Sequence, residues 1–318
     1  MFDVVALGEL LIDFTPAGTS PNGNVLFERN PGGAPANVLA CLAKLGRKTG
    51  LIGKVGEDQF GRFLRGVLAD SGIAIQGLIM DSEVNTTLAF VHLGADGDRS
   101  FSFYRKPGAD TQLYPEEVAQ GLLNTRIFHF GSLSLTDEPA RSATLFALEG
   151  AKQEGALISY DPNLRPPLWP DLTEAKRQML AVMHQADVLK ISEEELEFLT
   201  GTKDLARGSQ YLAKEYDLPM VFVTLGADGC FYRAGKITGE VSGFQVHSID
   251  TTGAGDGFVG GILHQILLRS KELPQWTQAE LTESVRFANA IGALVTTKKG
   301  AIPAMPSLGE IEELLVGD

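Results

Sequence analysis

The chain has 318 residues, of which 44% are hydrophobic, 21% are charged and 36 are glycine, and its formal net charge is −13. This composition excludes collagen-like, disordered and disulfide-scaffold proteins, and it favours one large α/β domain or two smaller domains. The negative charge disfavours nucleic acid and anionic membranes as partners, and no apolar run approaches the ~18 residues of a membrane span.

Short apolar runs alternate with helical patterns along the chain. Residues 2–7 predict a buried strand with no basic segment before it, so we expect no signal peptide and a cytoplasmic protein. Strands that alternate with helices of this length predict βαβ units around a mostly parallel sheet. The further predicted strands are 49–54, 127–130, 156–160, 188–191, 221–224 and 244–249, and the predicted helices are 35–45, 58–70, 138–153, 173–185, 193–200, 206–216 and 258–268.

Residues 86–106 interrupt this alternation. They predict a β-hairpin with strands at 86–93 and 100–105, joined by a turn at 94–98. With the Pro-, Gly- and Asn-rich residues 12–30, the hairpin predicts a small second sheet. No linker or charge block divides the chain, so we expect a single domain, 1–318, with a discontinuous lid formed from about 12–30 and 86–107. Cys41 and Cys230 lie in apolar patterns and are expected to be buried thiols.

The strongest motif is DTTGAGDGFVGG at 250–261, between a predicted strand and a predicted helix. Glycines at a helix start let backbone N–H groups converge on an anion, and the helix dipole adds about half a positive charge there. One of the two aspartates can be anchored in the loop while the other faces the anion. A plain turn is disfavoured because the doubled Thr, the Gly-Ala-Gly and the second Asp stand together at one strand–helix junction.

The same motif contains a misleading pattern, because residues 255–260 satisfy G-x-G-x-x-G. A dinucleotide-binding domain also needs an acidic residue about 20 positions further on, at the end of the next strand. Residues 272–286 instead predict a charged helix, so we reject a nicotinamide dehydrogenase. The Walker, H-E-x-x-H and G-x-S-x-G motifs do not occur in the sequence either.

A second motif, PGGAPAN at 31–37, also leads into a predicted helix. Its glycines allow a ligand to approach the backbone, and Pro35 suits the first helical turn. Asn37 offers both a donor and an acceptor, as a polyhydroxylated ligand requires. From these residues alone, an ordinary loop with Asn37 as a local cap remains open.

Together the two motifs resemble the signatures of the ribokinase-like (pfkB-type) carbohydrate kinase family. GELLID at 8–13, FHFGSLSL at 128–135, DPNLR at 161–165 with LW at 168–169, and KISEEEL at 190–196 resemble its fructokinase branch, so the resemblance covers essentially the whole chain. It implies an α/β, ribokinase-like three-layer fold with a central, mostly parallel sheet and a small β-sheet lid. It also implies transfer of the γ-phosphate of ATP to a sugar hydroxyl.

The resemblance assigns roles to residues by position. It implies that Asp256 is the general base beside an anion hole at Gly253, Ala254 and Gly255. The sugar-binding residues that it implies are Asp13, Gly32, Gly33, Asn37, Phe103, Arg105 and Arg165. The ATP-binding residues that it implies are Lys190, Ser192, Glu195, Thr224, Gly226, Ala227, Gly229 and Asn289.

Two metal ions belong to the same implied site. Glu195 would organise Mg²⁺ through water, next to Ser192, which stands where the family usually has Asn. A monovalent cation, expected to be K⁺, would lie near the anion hole, and hard oxygen ligands suit such an ion. The residues that resemble this cation site are Asp250, Thr252, Val295, Lys298 and Gly300.

The leading interpretation is a fructokinase that makes fructose 6-phosphate. A sibling kinase for a ribosyl substrate, aminoimidazole riboside or ribose, remains open because residues 107–111 resemble riboside kinases, whereas Arg105 and DPNLR favour fructose. A non-catalytic sugar-binding regulator is disfavoured by Asp256 and its neighbouring glycines. The aromatic residues Phe90, Phe101 and Phe103 in the hairpin suggest a homodimer formed through the lid.

Overall fold

The structure is a computed structural model and describes residues 1–93, 99–269 and 271–317. Its strands are β1 (Phe2–Leu7), β2 (Leu11–Thr19), β3 (Val25–Gly32), β4 (Thr49–Gly56), β5 (Ala74–Asp81), β6 (Leu88–Leu93), β7 (Arg99–Tyr104), β8 (Thr125–Gly131), β9 (Leu157–Asp161), β10 (Val188–Ser192), β11 (Met220–Thr224), β12 (Gly229–Ala234) and β13 (Ile237–Ser242). Its α-helices are α1 (Ala34–Lys44), α2 (Gln59–Asp70), α3 (Ala140–Gln153), α4 (Leu172–Ala181), α5 (Glu193–Thr200), α6 (Leu205–Glu215), α7 (Ala254–Arg269), α8 (Gln278–Thr296) and α9 (Leu308–Gly317).

Within the described residues, nine strands form the main sheet in the order β13-β12-β11-β10-β9-β8-β1-β4-β5. The strands from β11 to β5 are parallel, and the β12–β13 hairpin adds an antiparallel edge. Alternate residues of β1 serve opposite faces: Val4 and Ala6 belong to the core that α1, α2, α7 and α8 cover, and Val5 and Leu7 to the core beneath α3–α6. The predicted three-layer α/β fold is confirmed.

A second sheet of four strands has the order β3-β2-β6-β7. We call these four strands the small sheet. Strands β2 and β3 pair antiparallel, β2 and β6 pair parallel, and β6 and β7 form the predicted hairpin. The segments around 12–30 and 86–107 therefore meet in one sheet, as expected, although the predicted turn at 94–98 lies outside the described residues.

The predicted strand at 244–249 is wrong, because these residues run as an irregular segment after β13. Phe244 is 6% exposed and lies 5.2 Å beneath the Arg286 guanidinium, while Gln245 and His247 are exposed. This inward–outward alternation imitates a strand, but β13 already forms the edge of the sheet. The helix after it begins at Ala254 and not at 258.

Two glycines of the misleading G-x-G-x-x-G region serve helix packing. A Cβ at Gly260 would lie 2.6 Å from Cys41 Sγ on α1, and a Cβ at Gly261 would lie 2.9 Å from Ala288 Cα on α8. These glycines therefore let α7 approach its two neighbours closely. Cys41 and Cys230 are buried free thiols, as predicted. In the parts of the chain that the structure describes, no helix has the length and apolar character needed to cross a membrane.

Candidate active site

A cavity of about 650 Å³ lies between the small sheet and the carboxyl ends of β1, β9 and β10. The carboxyl ends of parallel strands are the usual ligand-binding edge of an open α/β sheet. Most of the residues predicted for the sugar and the phosphate chemistry line this cavity. They are Asp13, Gly33, Asn37, Phe103, Arg165, Lys190, Ser192, Glu195, Gly253, Gly255 and Asp256.

A second cavity, of about 360 Å³, lies between the β11–β12 turn and α8. All the other residues predicted for ATP line it, together with Ala254: they are Thr224, Gly226, Ala227, Gly229 and Asn289. Thr251 and Gly255 line both cavities. The two cavities therefore meet at the start of α7, so one ligand on each side would be in contact there.

The backbone at the start of α7 requires glycine. Gly253 has a φ of +81°, and a Cβ at this position would lie 2.6 Å from the Cβ of Ala301. At Gly255, a Cβ would lie 3.1 Å from Lys190 Nζ. Ala254 N donates to Thr251 O at 3.3 Å, so this member of the expected anion hole is engaged within the turn. The next N–H groups of the first turn have no partner within an α-helix, and with the helix dipole they favour an anion.

Asp256 lies in the first turn of α7 and is held from α1. Asn37 Nδ2 donates to Asp256 Oδ2 at 2.7 Å. Burial raises the pKa of Asp256 to about 6, against the opposing effect of this hydrogen bond. Among the described residues, the buried Asn37 Oδ1 has no hydrogen-bond partner. This pair therefore presents a carboxylate that can accept a proton near neutral pH and an acceptor that can receive a ligand hydroxyl.

A largely buried cation, with its side chain 12% exposed, faces the same turn. Lys190 Nζ pairs with Asp161 Oδ2 at 3.0 Å. Burial alone would lower the pKa of Lys190, but the carboxylates of Asp161, Glu195 and Asp256 outweigh it and raise the pKa. Asp161 Oδ1 is buried and lacks a hydrogen-bond partner in the described part of the chain. Lys190 therefore stays charged beside the first turn of α7.

Glu195 both caps the start of α5 and lines the cavity. Its Oε2 accepts from Ser192 N at 2.8 Å, while Ser192 Oγ accepts from Glu195 N at 3.2 Å, which forms a capping box at the start of α5. Its Oε1 accepts from Leu164 N at 2.6 Å. Burial raises the pKa of Glu195, and Lys190 opposes this change. The carboxylate therefore ties α5 to the 163–165 loop while lining the cavity.

Asp13 enters the cavity from the small sheet. It pairs with Asn30 across β2 and β3, and a Cβ at Gly32 would collide with its Oδ2. Gly33, with a φ of +118°, caps α1 at a point where a Cβ would collide with the carbonyl of Glu9. Burial raises the pKa of Asp13 to about 6, and Arg165 opposes this change. Gly32 therefore makes room for the Asp13 carboxylate, and Gly33 lets the start of α1 approach the backbone of Glu9.

Arg105 is placed differently from the expectation of a sugar contact. Its side chain is 3% exposed. All three guanidinium nitrogens donate to protein acceptors, which are Asp110 Oδ2, Thr136 Oγ1 and Leu133 O. Leu133 lines the cavity. Arg105 therefore lies behind the cavity wall, where pairing with a buried carboxylate keeps it charged.

Sequence reasoning missed Glu9 as a site residue. Glu9 is 3% exposed, lines the cavity, and accepts from Ala34 N at 2.9 Å through Oε1. Burial raises its pKa to about 7. Its sequence signal was an acidic residue directly after a buried strand and Gly8, because the residues that follow such strands face the ligand edge of the sheet.

Three of the five residues predicted for a monovalent cation, Asp250, Thr252 and Gly300, are in contact with one another. Asp250 Oδ1 accepts from Thr252 N and Oγ1 at 3.0 and 2.7 Å, and its Oδ2 accepts from Gly300 N at 3.1 Å. The Lys298 ammonium pairs with Glu310 at 2.6 Å. Within the described ranges, no group of three His, Cys, Asp or Glu side chains is arranged to hold a metal ion. A cation here would therefore depend on backbone oxygens as well as Asp250.

Comparison with known proteins agrees with this geometry. Residues 1–308 match the model of the family described as pfkB family carbohydrate kinase. The chain belongs to this family. This carbohydrate kinase is 46% identical to the probable fructokinase-4 of Arabidopsis thaliana, over 99% of the chain and 97% of that protein.

Solved structures extend the likeness to the fold. This carbohydrate kinase superposes on the ATP-bound fructokinase of Xylella fastidiosa with a TM-score of 0.92 and 34% identity, covering 100% and 99% of the two chains. It superposes on the Vibrio cholerae O395 fructokinase with bound fructose, ADP and calcium with a TM-score of 0.88 and 36% identity, covering 99% of each chain. The expected family and enzyme class, a sugar phosphotransferase, are confirmed.

Proposed function

We propose that this carbohydrate kinase is a fructokinase, which transfers the γ-phosphate of ATP to the 6-hydroxyl of D-fructose. The observation that carries the proposal is the junction of the two cavities at Gly255, with Asp256 beside it. Several similar proteins that cover nearly the whole chain are fructokinases, and the structure of one of them contains fructose and ADP. ATP would occupy the cavity at the β11–β12 turn, and fructose the cavity under the small sheet.

The chemistry needs little beyond positioning and charge stabilisation, because phosphoryl transfer passes through a loose transition state. The sugar oxygen forms a bond to the γ-phosphorus while the bond to the β–γ bridging oxygen breaks, and Asp256 accepts the hydroxyl proton. A base with a pKa of about 6 is ionised at neutral pH and strong enough for a proton that leaves late. Lys190 and the first-turn N–H groups of α7 would stabilise the phosphate oxygens.

The sugar would be held by polar groups from both sides of its cavity. Asn37 Oδ1, buried and without a protein partner in the described chain, would accept a sugar hydroxyl. Asp13 would accept others, and the exposed Arg165 would donate to sugar oxygens. Phe103 and Gly33 would supply the apolar face and the close backbone approach, while Gly32 would act by making room for Asp13.

Two cations fit the residues present. Mg²⁺ normally binds through substrate phosphates and water with one or two carboxylates, and the Asp161 oxygen that lacks a partner, together with Glu195, suits that arrangement. Bound Mg²⁺ would neutralise phosphate charge. K⁺ would bind near Asp250, Thr252 and the carbonyls of Val295, Lys298 and Gly300, since these groups are hard oxygen donors.

The competing substrate is a ribosyl compound, and a direct assay separates the two. ADP release with Mg²⁺-ATP is measured for fructose, ribose, aminoimidazole riboside, 2-keto-3-deoxygluconate and adenosine, with and without K⁺. We expect fructose to give the highest kcat/KM and K⁺ to raise the rate. If a ribosyl compound gave the highest kcat/KM, the proposed substrate would change but the role of Asp256 would not. If ATP bound and no sugar led to ADP release, a sugar-binding regulator would be favoured.

A cytoplasmic homodimer is part of the same proposal. Phe90 stacks on Phe14 at 4.7 Å on the side of the small sheet away from the cavity, next to Tyr104, which is 65% exposed. Phe103 instead lines the cavity, and the side chain of Phe101 lies outside the described part of the chain. Light scattering that gave the monomer mass at assay concentration would contradict the dimer.

A further inference from the structure

A buried ion pair lies where the β6–β7 hairpin joins the main domain. Arg105 directly follows β7, and its Nε donates to Asp110 Oδ2 at 2.7 Å, with side-chain exposures of 3% and 1%. Its Nη1 and Nη2 donate to Thr136 Oγ1 and Leu133 O, each at 2.8 Å. Without Asp110, the buried Arg105 would keep only a longer ion pair with the exposed Asp137, at 3.8 Å, so the close pair strongly favours one local geometry.

The same carboxylate holds the other end of the hairpin. Thr87 directly precedes β6, and its hydroxyl donates to Asp110 Oδ1. Leu88 pairs with Tyr104 in the β6–β7 ladder, so Thr87 and Arg105 are the next residue on each strand. We call these two residues the hairpin roots. One carboxylate therefore joins both roots, one oxygen to each.

The packing around this carboxylate is close. A Cβ at the buried Gly108 would collide with Thr87 Oγ1 and would lie 3.0 Å from both Arg105 Cγ and Asp110 Oδ1. The Gly108 carbonyl accepts from Thr111 Oγ1 at 2.8 Å. The loop that carries Asp110 is therefore packed closely against both hairpin roots.

The hairpin and the main domain supply opposite walls of the sugar cavity. Val91 on β6 and Phe103 on β7 line it from the small sheet, and Leu133 lines it from the main domain. The carbonyl of Leu133 accepts from Arg105, which itself pairs with Asp110. We propose that Asp110 is a positioning residue that fixes both hairpin roots and thereby sets the distance between the hairpin wall and Leu133. The identity of the sugar affected rests on the proposed fructokinase function.

This role has a consequence that ordinary structural support lacks. If the roots separate, only a fraction of the molecules holds the hairpin wall in its binding position, and the apparent affinity for the sugar falls by that fraction. The ATP cavity is lined mainly by the β11–β12 turn, the segment after β13 and α8. None of the described residues of the β6–β7 hairpin lines it. The loss should therefore fall on the sugar and not on ATP.

The first test needs no sugar. Amide hydrogen exchange is measured on the wild type, Asp110→Ala and Thr87→Val, the last of which keeps the Arg105–Asp110 pair and covers the case that Asp110→Ala does not fold. We expect exchange in β6 and β7 to accelerate by about ten-fold or more, with β8–β11 unchanged. Equal protection of the hairpin in the wild type and a folded variant would overturn the proposal.

The second test is kinetic and includes a matched control. We expect KM for fructose to rise by about five-fold or more in Asp110→Ala, and less in Thr87→Val, while KM for ATP stays within about two-fold. Asp187→Ala removes another partly buried carboxylate, which accepts from Ile158 N at 2.8 Å. Asp187 directly precedes β10 and so lies at the amino end of that strand, away from the cavity. This substitution should lower Tm without changing either KM.

Equal rises in both KM values, or a lower Tm with an unchanged KM for fructose, would reduce Asp110 to a stabilising residue and overturn the proposal. A wild type that does not phosphorylate fructose would refute the proposed function alone, because the exchange experiment still decides the role of Asp110.

Discussion

At the scale of single residues, Asp256 is the group whose removal should affect the chemistry most directly. Asp256→Asn keeps the size of the side chain and removes its basicity, so we expect kcat to fall by ~10²–10⁴-fold. ATP affinity, measured by calorimetry, should persist because Asp256 is not among the residues that line the ATP cavity. Asp217→Asn is the matched control, since Asp217 is exposed, has a φ of +54° that Asn tolerates, and should leave kcat unchanged. Near-normal turnover of Asp256→Asn would remove Asp256 from its role.

Asn37 should control the pH at which Asp256 works. Its amide donates to the ionised carboxylate and so holds down a pKa that burial raises to about 6. Asn37→Ala should raise the pKa of Asp256, so the loss of activity on acidification should begin at a pH higher by on the order of one unit. The measurement is the pH profile of kcat, whose acidic limb reports Asp256 together with the neighbouring carboxylate of Asp13, whose pKa burial also raises to about 6.

Phe103→Leu is the control for this shift. Phe103 lines the sugar cavity, so its replacement should raise KM for the sugar and leave the acidic limb in place. If the acidic limb of Asn37→Ala did not shift in pH, Asn37 would bind the sugar without changing the pKa of Asp256.

At the scale of secondary-structure elements, the start of α7 is the part least tolerant of change. Gly253→Ala places a Cβ at a φ of +81° and 2.6 Å from Ala301 Cβ, so the turn must shift. We expect a stability loss on the order of 1–3 kcal/mol and a lower kcat, because the first-turn N–H groups move with the turn. Thermal unfolding and steady-state kinetics measure the two effects.

The matched control is Gly66→Ala in α2. A Cβ at Gly66 meets open space, so this substitution should raise stability by about 0.5–1 kcal/mol without affecting kcat. If Gly253→Ala behaved like Gly66→Ala, the glycine would have no role in shaping the anion site.

At the scale of the whole molecule, the site carries buried carboxylates at a cost to folding. Glu9 has a folded pKa of about 7, raised by burial from 4.5. Between those values the native state binds more protons than the unfolded state, so the contribution of Glu9 to stability falls as pH rises towards 7 and stays unfavourable above it. Glu9→Gln should therefore raise the free energy of unfolding at pH 8 by on the order of 1–3 kcal/mol, and much less at pH 5.

Glu310→Gln should change the stability at pH 8 in the opposite direction, and it serves as the control. Hydrogen bonds from Lys298 and the Ser307 side chain and backbone lower the pKa of Glu310 to about 2, so its contribution is present at pH 8 and is lost only in acid. Its removal should lower Tm at pH 8. Denaturant unfolding at pH 5 and pH 8 measures the stability of both variants. A Glu9→Gln variant that is less stable than the wild type at pH 8 would contradict this expectation.

Much of the fold follows from local patterns. The predicted strand at 2–7 and the helix at 193–200 match β1 and α5. A buried strand leaves a short continuous apolar run, and a capped amphipathic helix leaves a cap and a periodic pattern, and both signals lie within ten residues. The same local reasoning failed at 244–249, where buried and exposed side chains alternate but β13 already forms the edge of the sheet. Pairing depends on what lies beside a strand, and a short window of sequence does not contain that information.

The sequence by itself determined the chemistry of this protein: two glycine-rich turns before helices, a carboxylate beside one of them, and an alternating α/β order. Only the tertiary structure decided how these parts act together. It placed Asn37 against Asp256, 219 residues apart, brought Glu9 into the cavity, and placed Arg105 behind the cavity wall as the partner of Asp110. The sequence states which residue types are present, but the burial of a side chain and its partners arise only when distant segments pack together. Burial and partners decide which charged group faces the substrate.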